Sequence, residues 1–154
     1  MENIEDKHIK KSHNKSLLLY HVVCPVGYRK KVFTEIISQS IKDICYEISQ
    51  RYEIHFVEIG VDDDHVHFMI QSVPTLSPKQ IVQIVKSITA RQLFSMHPLI
   101  RKDLWGGKFW TSGYYINTVS QYANAETIQN YVKQQGKKYI KISSQQPSLF
   151  DGIW

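Results

Sequence analysis

Two histidines separated by one bulky residue, His65-Val66-His67, form the stretch of the chain best suited to chemistry. Side chains alternate along a β-strand, so a strand here would direct both imidazoles to one face and Val66 to the other. Neutral imidazole is a common metal ligand, and two imidazoles leave coordination positions open for substrate oxygens. Asp64, just before the pair, either orients one ring by a hydrogen bond or belongs only to the preceding turn. The pattern predicts half of a metal site, although such a pair also arises by chance in strands with solvated histidines.

A second candidate group lies near the C-terminus, where Tyr131 and Gln135 are four residues apart in a predicted helix and therefore share one face. A tyrosine hydroxyl, with a pKa of about 10, is a weak nucleophile in water. It becomes effective where a metal polarises the electrophile and the geometry is fixed. The Gln135 amide oxygen is a suitable third metal ligand. The alternative is that Tyr131 packs in the core beside Ile128 and Val132 while Gln135 is solvated.

The elements that must position these residues follow from the hydrophobic pattern. Apolar, β-prone or alternating stretches predict four strands, and apolar residues at three- and four-residue steps predict the helices between them. The predicted strands are 17–24, 52–59, 65–71 and 114–119, and the first two helices cover about 33–48 and begin after Ser77. This order is the split βαβ plan, an α+β ferredoxin-like antiparallel sheet with two helices on one face. An extra C-terminal helix, from Asn124 to Gly136, carries Tyr131.

Composition indicates one globular domain. The chain has 154 residues, and we divide it into an N-terminal arm (1–15) expected to be flexible, a domain (16–137) and a C-terminal tail (138–154). Lysine and arginine exceed aspartate and glutamate by 19 − 14 = 5. That excess suits a polyanionic partner, or is only a basic solvated surface. Cys24 and Cys45 have no metal-type spacing and are expected to be reduced, buried thiols. No stretch is apolar enough for a signal peptide or membrane span, so a cytoplasmic location is expected.

Several motifs, taken together and in this order, are highly specific. They are Tyr28-Arg29-Lys30-Lys31-Val32, Asp64-His65-Val66-His67, Leu104-Trp105-Gly106-Gly107, Phe109-Trp110, and Tyr131 with Gln135. Through them the chain resembles the single-tyrosine HUH transposases of small bacterial insertion sequences, the IS200-like family, which includes domesticated repeat-associated relatives. "HUH" denotes histidine, hydrophobic residue, histidine. The resemblance covers about residues 17–137, most of the chain.

The resemblance implies a site and a reaction. His65, His67 and Gln135 would hold a divalent cation, with Mg²⁺ expected and Mn²⁺ the alternative. Tyr131 would attack a phosphorus of single-stranded DNA, forming a 5′-phosphotyrosine and releasing a 3′-hydroxyl. Attack by another 3′-hydroxyl would reverse the step and join new strands, so that the reaction needs no ATP.

The resemblance also implies partners. Family members act as homodimers in which the tyrosine helix of one chain completes the site of the other, and residues 120–124 are a plausible linker for that exchange. They recognise DNA hairpins near the element ends. Basic side chains expected to contact phosphates are Arg29, Lys30, Lys31, Lys86 and Arg91. One departure is Gly27, which stands where relatives often have lysine and puts one DNA contact in doubt.

Three functions compete at this point. The first is an active transposase, the second a domesticated endonuclease that cleaves repeat hairpins, and the third a non-catalytic ferredoxin-like module that binds single-stranded nucleic acid through surface aromatics. The tail adds a separate hypothesis. Gln146-Pro147-Ser148-Leu149-Phe150 is similar to the peptides that dock on the bacterial replication sliding clamp. The alternative, that Leu149 and Phe150 pack on their own domain, is favoured.

Overall fold

The computed structural model describes residues 6–119 together with the backbone of 138–140. The strands of its main sheet are β3 (Leu18–Pro25), β4 (His55–Val61), β5 (His65–Ser72), β6 (Tyr115–Thr118) and β7 (Lys138–Ile140). These five strands pair antiparallel in the order β6-β3-β5-β4-β7. Two long helices, α1 (Glu35–Arg51) and α2 (Pro78–Met96), follow β3 and β5, and a short helix α3 covers Ile100–Asp103. The order of β6, β3, β5 and β4 is that of a ferredoxin-like domain, as the sequence predicts.

Local sequence explains where the helices begin. The Ser77 hydroxyl accepts from the Gln80 amide at 3.1 Å, and the Gln80 side chain accepts from the Ser77 amide at 2.8 Å. This capping box, with Pro78 in the first turn, matches the predicted start of α2. Thr34 caps α1 in a simpler way by accepting from the Ile37 amide. Among residues 6–119, no helix is long and apolar enough to cross a membrane.

Side-chain alternation divides the sheet into two faces. Val66, Phe68 and Ile70 of β5 are at most 1% exposed and belong to one core cluster with apolar residues of both long helices. The strand register puts His67 and Met69 on the opposite face, beside Val23 and His21 of β3. We call this second side the histidine face. Its histidines are therefore fixed by the same alternation that fills the core.

Three features of the chain path extend the predicted fold. Within the segment expected to be a flexible arm, β1 (Ile9–Lys10) and β2 (Lys15–Ser16) pair as a small hairpin. The backbone of 138–140, which was assigned to the tail, forms β7 along β4. A bulge in β4 inserts Val57 between Phe56 and Glu58, which returns Glu58 to the histidine face opposite Met69. The helix predicted around Tyr131 lies outside the described residues.

The segment after α3 packs against the end of β3 that lies beside the histidines. Trp110 donates its indole N–H to the Thr89 hydroxyl of α2 at 2.9 Å. The Lys86 ammonium donates to the carbonyl oxygens of Thr111 (2.7 Å) and Gly113 (3.3 Å). The Thr111 amide in turn donates to the Pro25 carbonyl oxygen at 2.9 Å. Helix α2 thereby supports the end of β3 next to the site.

Candidate metal centre

His65 and His67 lie at the start of β5, where the strand emerges from a tight turn. Their ring centroids are 4.9 Å apart with an interplanar angle of 71°. The His65 side chain retains 18% exposure, whereas His67 is buried at 4%. The register places His67 between Val23 and Gly60, and the glycine adds no side chain to this face. Two imidazoles therefore converge at the edge of the histidine face, one accessible and one enclosed.

Asp64 holds the accessible ring. Its Oδ1 lies 2.7 Å from His65 Nδ1, and its two oxygens also accept from Arg29, from Nε at 3.2 Å and from Nη2 at 3.3 Å. The hydrogen bond with His65, followed by that with Arg29, lowers the pKa of Asp64 despite some desolvation. An anionic carboxylate on Nδ1 keeps the proton on that nitrogen and leaves Nε2 with the lone pair that metal binding requires. Asp64 thus has the orienting contact that the sequence offered as one of two alternatives.

The turn that carries Arg29 is fixed by backbone hydrogen bonds. The Val26 amide donates to the Asp64 carbonyl oxygen at 2.8 Å, and the Gly27 amide donates to that of Phe109, also at 2.8 Å. Arg29 adopts a left-handed backbone conformation, with φ of +54°. A Cβ at Gly27 would come 3.1 Å from the Lys108 carbonyl oxygen, so the backbones approach closely at the position where relatives often carry lysine.

A further carboxylate, Asp62, lies on the other side of His65. Its Oδ2 is 3.7 Å from His65 Nε2, the nitrogen opposite the one that contacts Asp64. Asp62, Asp64 and His65 each offer a ligand atom within 4.8 Å of the others. Because its Oδ2 faces His65 Nε2, Asp62 is placed to supply an oxygen ligand beside that nitrogen. The sequence does not single out Asp62, since nothing in the spacing separates it from Asp63 and Asp64.

The enclosed ring has a different partner. His67 Nδ1 lies 2.9 Å from His21 Nε2, and the two rings are nearly parallel, at 10°. His21 is 2% exposed and pairs across the sheet with Asn117 of β6, whose side chain also hydrogen-bonds it. Sequence reasoning missed both residues. The only available signal was a histidine inside the apolar first strand, and the register that brings it beside His67 was not readable from the sequence.

The donor set fits a divalent cation. Two imidazoles on one face, with the Asp62 carboxylate beside one of them, suit Mn²⁺ well and are acceptable to Mg²⁺, which prefers oxygen ligands. Both rings are held through Nδ1, His65 by a carboxylate and His67 by another imidazole. Such contacts behind metal-binding histidines fix the ring orientation and the tautomer.

The remaining predicted residues divide into three groups. Tyr131 and Gln135 lie outside the described residues. Arg29, Lys30 and Lys31 are exposed in the turn beside the site. Lys86 and Arg91 are on α2, against the other face of the sheet, and Lys86 is engaged with loop carbonyl oxygens. The five basic residues therefore lie on two separate segments, and Arg29 contacts the site through Asp64.

Comparison with known proteins identifies related sequences. The sequence model of the family "Transposase IS200 like" matches residues 14–135. ISDra2 transposase TnpA of Deinococcus radiodurans is 32% identical over 121 residues, covering 79% of this chain and 86% of that protein. The transposase for insertion sequence element IS200 of Salmonella typhimurium is 23% identical over 124 residues, covering 80% of each chain.

Two solved structures share the fold. A transposase crystal structure from Deinococcus radiodurans R1 superimposes with a TM-score of 0.67 and 28% identity, covering 83% of this chain and 98% of that one. A REP-associated tyrosine transposase bound to a REP hairpin gives a TM-score of 0.51 with 11% identity, covering 100% of this chain and 88% of that one, which shows a common fold. The paired histidines lie on an antiparallel ferredoxin-like sheet, and the family model matches most of the length of the chain. The chain therefore belongs to the IS200-like transposase family.

Proposed function

We propose that the protein cleaves and rejoins single-stranded DNA at insertion-sequence ends through a 5′-phosphotyrosine on Tyr131. The observation that carries this proposal is the convergence of His65 and His67 on one face, with each ring held through Nδ1. A merely solvated pair would not need a carboxylate behind one ring and a buried imidazole behind the other. Membership of a transposase family supplies the reaction class.

In the proposed site, His65 and His67 hold a divalent cation through their Nε2 atoms, and Gln135 adds an amide oxygen. Mg²⁺ is the proposed ion and Mn²⁺ the alternative. When bound, the ion polarises the scissile phosphate and offsets the charge that develops on its oxygens. Asp64 positions His65, and Arg29 secures Asp64 while remaining 57% exposed toward solvent. Arg29, Lys30 and Lys31 are also the basic side chains best placed to contact the DNA backbone.

Tyr131 is the nucleophile in the proposed reaction. Its hydroxyl oxygen attacks the phosphorus and loses its proton, the bond from phosphorus to the 3′ oxygen breaks, and that oxygen takes up a proton to leave as a 3′-hydroxyl, so that no net proton is consumed. The phosphotyrosine ester conserves the energy of the broken bond. A second 3′-hydroxyl then attacks the same phosphorus, releases Tyr131 and joins the new strand.

We also propose a homodimer that recognises DNA hairpins. The helix that the sequence predicts around Tyr131 can complete the histidine pair of either its own chain or a second copy. Sharing between copies couples cleavage at two DNA ends. The hairpin is supported by the related fold that was solved bound to a REP hairpin. Since such hairpins would be part of bacterial DNA, we propose a cytoplasmic location.

The proposal is tested with labelled single-stranded DNA that carries the element end and its hairpin. Incubation with Mg²⁺ should give a protein–DNA adduct that survives denaturation. Tyr131→Phe should abolish the adduct while leaving DNA binding intact, and His67→Ala should abolish it by removing the cation. Cleavage by Tyr131→Phe at the wild-type rate would exclude Tyr131 as the nucleophile.

Two other functions make different predictions in the same assay. A domesticated endonuclease would form the adduct on scattered repeat hairpins rather than on ends that flank its own gene. A non-catalytic module would still bind single-stranded DNA with full affinity in the variants His65→Ala, His67→Ala and Tyr131→Phe. The hydrogen bonds behind both histidines favour the enzyme, because a binding module has no use for oriented imidazoles.

The clamp hypothesis for Gln146–Phe150 remains a separate proposal, since this segment lies outside the described residues. Docking on the replication clamp would place the enzyme where single-stranded DNA is exposed. A fluorescence titration of a peptide covering residues 143–152 against the clamp should show saturable binding that is lost when Leu149 and Phe150 are replaced by alanine. A peptide that does not bind leaves the packing of these residues on their own domain as the explanation.

A further inference from the structure

We propose that His21 is a positioning residue that sets the tautomer of His67, through a relay from Asn117 to His21 to His67. The relay rests on the proposed metal site, since it explains how the buried ligand is prepared. Its members come from three neighbouring strands, β6, β3 and β5, on the histidine face. None is adjacent in sequence to another.

The first step is the contact between the rings. His67 Nδ1 and His21 Nε2 are 2.9 Å apart, so a proton on one nitrogen must be donated to a lone pair on the other. If His67 is to offer the lone pair of Nε2 to a cation, its proton must be on Nδ1. His67 is then the donor and His21 the acceptor in this hydrogen bond.

The second step is what makes His21 an acceptor. Asn117 lies directly opposite His21 in the pairing of β3 with β6, and its side chain hydrogen-bonds His21. The amide oxygen of an asparagine accepts hydrogen bonds and can therefore receive a ring N–H of His21. With Nε2 facing His67, Asn117 receives the proton on Nδ1. That leaves Nε2 with a lone pair, which is the form His67 requires.

The third step is burial. His21 and His67 are 2% and 4% exposed, so water competes little for these ring nitrogens. A buried hydrogen bond costs more to leave unmade than one at the surface. The two metal-binding histidines are therefore prepared differently. Accessible His65 is oriented by a carboxylate, and enclosed His67 by a neutral imidazole that adds no charge to the interior.

The experiment reads the tautomers in the metal-free protein. Long-range ¹H–¹⁵N correlation of histidine-labelled protein should show His67 and His21 both protonated at Nδ1. Addition of Mn²⁺ or Mg²⁺ should then perturb Nε2 of His67. A metal-free protein in which His67 carries its proton on Nε2 would overturn the inference.

Matched variants separate a positioning role from a structural one. His21→Gln keeps an acceptor near the position of Nε2 and should retain the His67 tautomer and most of the Mn²⁺ affinity. His21→Leu has a similar size without an acceptor and should reduce Mn²⁺ affinity about 10- to 100-fold. Asn117→Leu changes an exposed position, which protects folding, and should shift both rings toward the Nε2–H form.

The outcomes also distinguish this inference from the proposed function. If wild-type protein and His21→Leu bind Mn²⁺ equally well, the relay is wrong and the metal site stands. If wild-type protein binds no divalent cation, the metal proposal fails, while the ring tautomers still decide the relay. Equal loss of affinity in His21→Gln and His21→Leu would show that packing rather than the acceptor matters, and would reject the relay.

Discussion

Replacement of Asp64 by asparagine tests how the accessible histidine is held. The carboxylate Oδ1 lies 2.7 Å from His65 Nδ1, a short distance typical of a hydrogen bond with a charged partner. Asparagine keeps the size and one acceptor but removes the charge that favours a proton on Nδ1. Loss of such a contact behind a metal ligand costs about 10- to 100-fold in metal affinity, or about 1.4–2.7 kcal/mol. We expect Mn²⁺ binding, measured by calorimetry or electron paramagnetic resonance, to weaken by that amount.

Arg29→Gln is the matched control for this prediction. Arg29 contacts the same carboxylate at 3.2 and 3.3 Å, but its side chain is 57% exposed. Exposed ion pairs contribute about 1 kcal/mol or less, so the affinity should fall by no more than about fivefold. Unchanged Mn²⁺ affinity in Asp64→Asn, or an equal loss in Arg29→Gln, would refute the role given to Asp64. Thermal unfolding of both variants checks that the turn remains folded.

Three further predictions concern protonation, thiol chemistry and assembly. Burial lowers the pKa of His55 below its ordinary 6.5, so at acidic pH the unfolded chain binds more protons than the folded protein. In denaturant titrations, the free energy of unfolding should therefore fall as the pH drops below 6.5, and it should fall less steeply in His55→Gln. Burial raises the pKa of Cys24 to about 12 and the pKa of Cys45 well above its usual value. Both thiols should therefore react slowly with a disulfide reagent at pH 8 and rapidly after denaturation. Fast reaction of the native protein would contradict their burial. If chains share active sites, mixing the Tyr131→Phe and His67→Ala proteins should restore about a quarter of the wild-type cleavage activity. Half of the dimers would then be heterodimers, and each heterodimer would have one complete site out of two. A mixture as inactive as its components would argue for sites formed within one chain.

The fold was predictable because its signals are local. Alternation in His65–Ser72 identifies a strand with Val66 and Phe68 toward the core, and the structure buries both completely. The capping residues Ser77 and Gln80 mark the start of α2 without any knowledge of tertiary structure. Hydrogen bonds that close within four residues leave a signature in the sequence. The small hairpin of β1 and β2 has no such signature, since its two-residue strands are too short to show alternation.

Apart from the adjacent Asp64, the partners of the histidines were not predictable, because they depend on strand register. Arg29 and Asp64 are 35 residues apart, and they meet only because the turn after β3 runs beside the turn before β5. His21 and His67 are 46 residues apart and require the specific pairing of β3 with β5. A shift of one residue in that pairing would turn every histidine-face residue of one strand toward the helices. Sequence pattern indicates which residues could do chemistry, and the register decides which of them are partners.

The central claim is that Tyr131 becomes covalently linked to DNA at a site prepared by His65 and His67. The most direct measurement is mass spectrometry of the adduct, after nuclease and protease digestion, to locate the residue that carries the 5′-phosphate. We expect a single modified peptide with the nucleotide on Tyr131, formed only with a divalent cation and absent from His67→Ala. A nucleotide attached to another tyrosine, or to a serine, would contradict it.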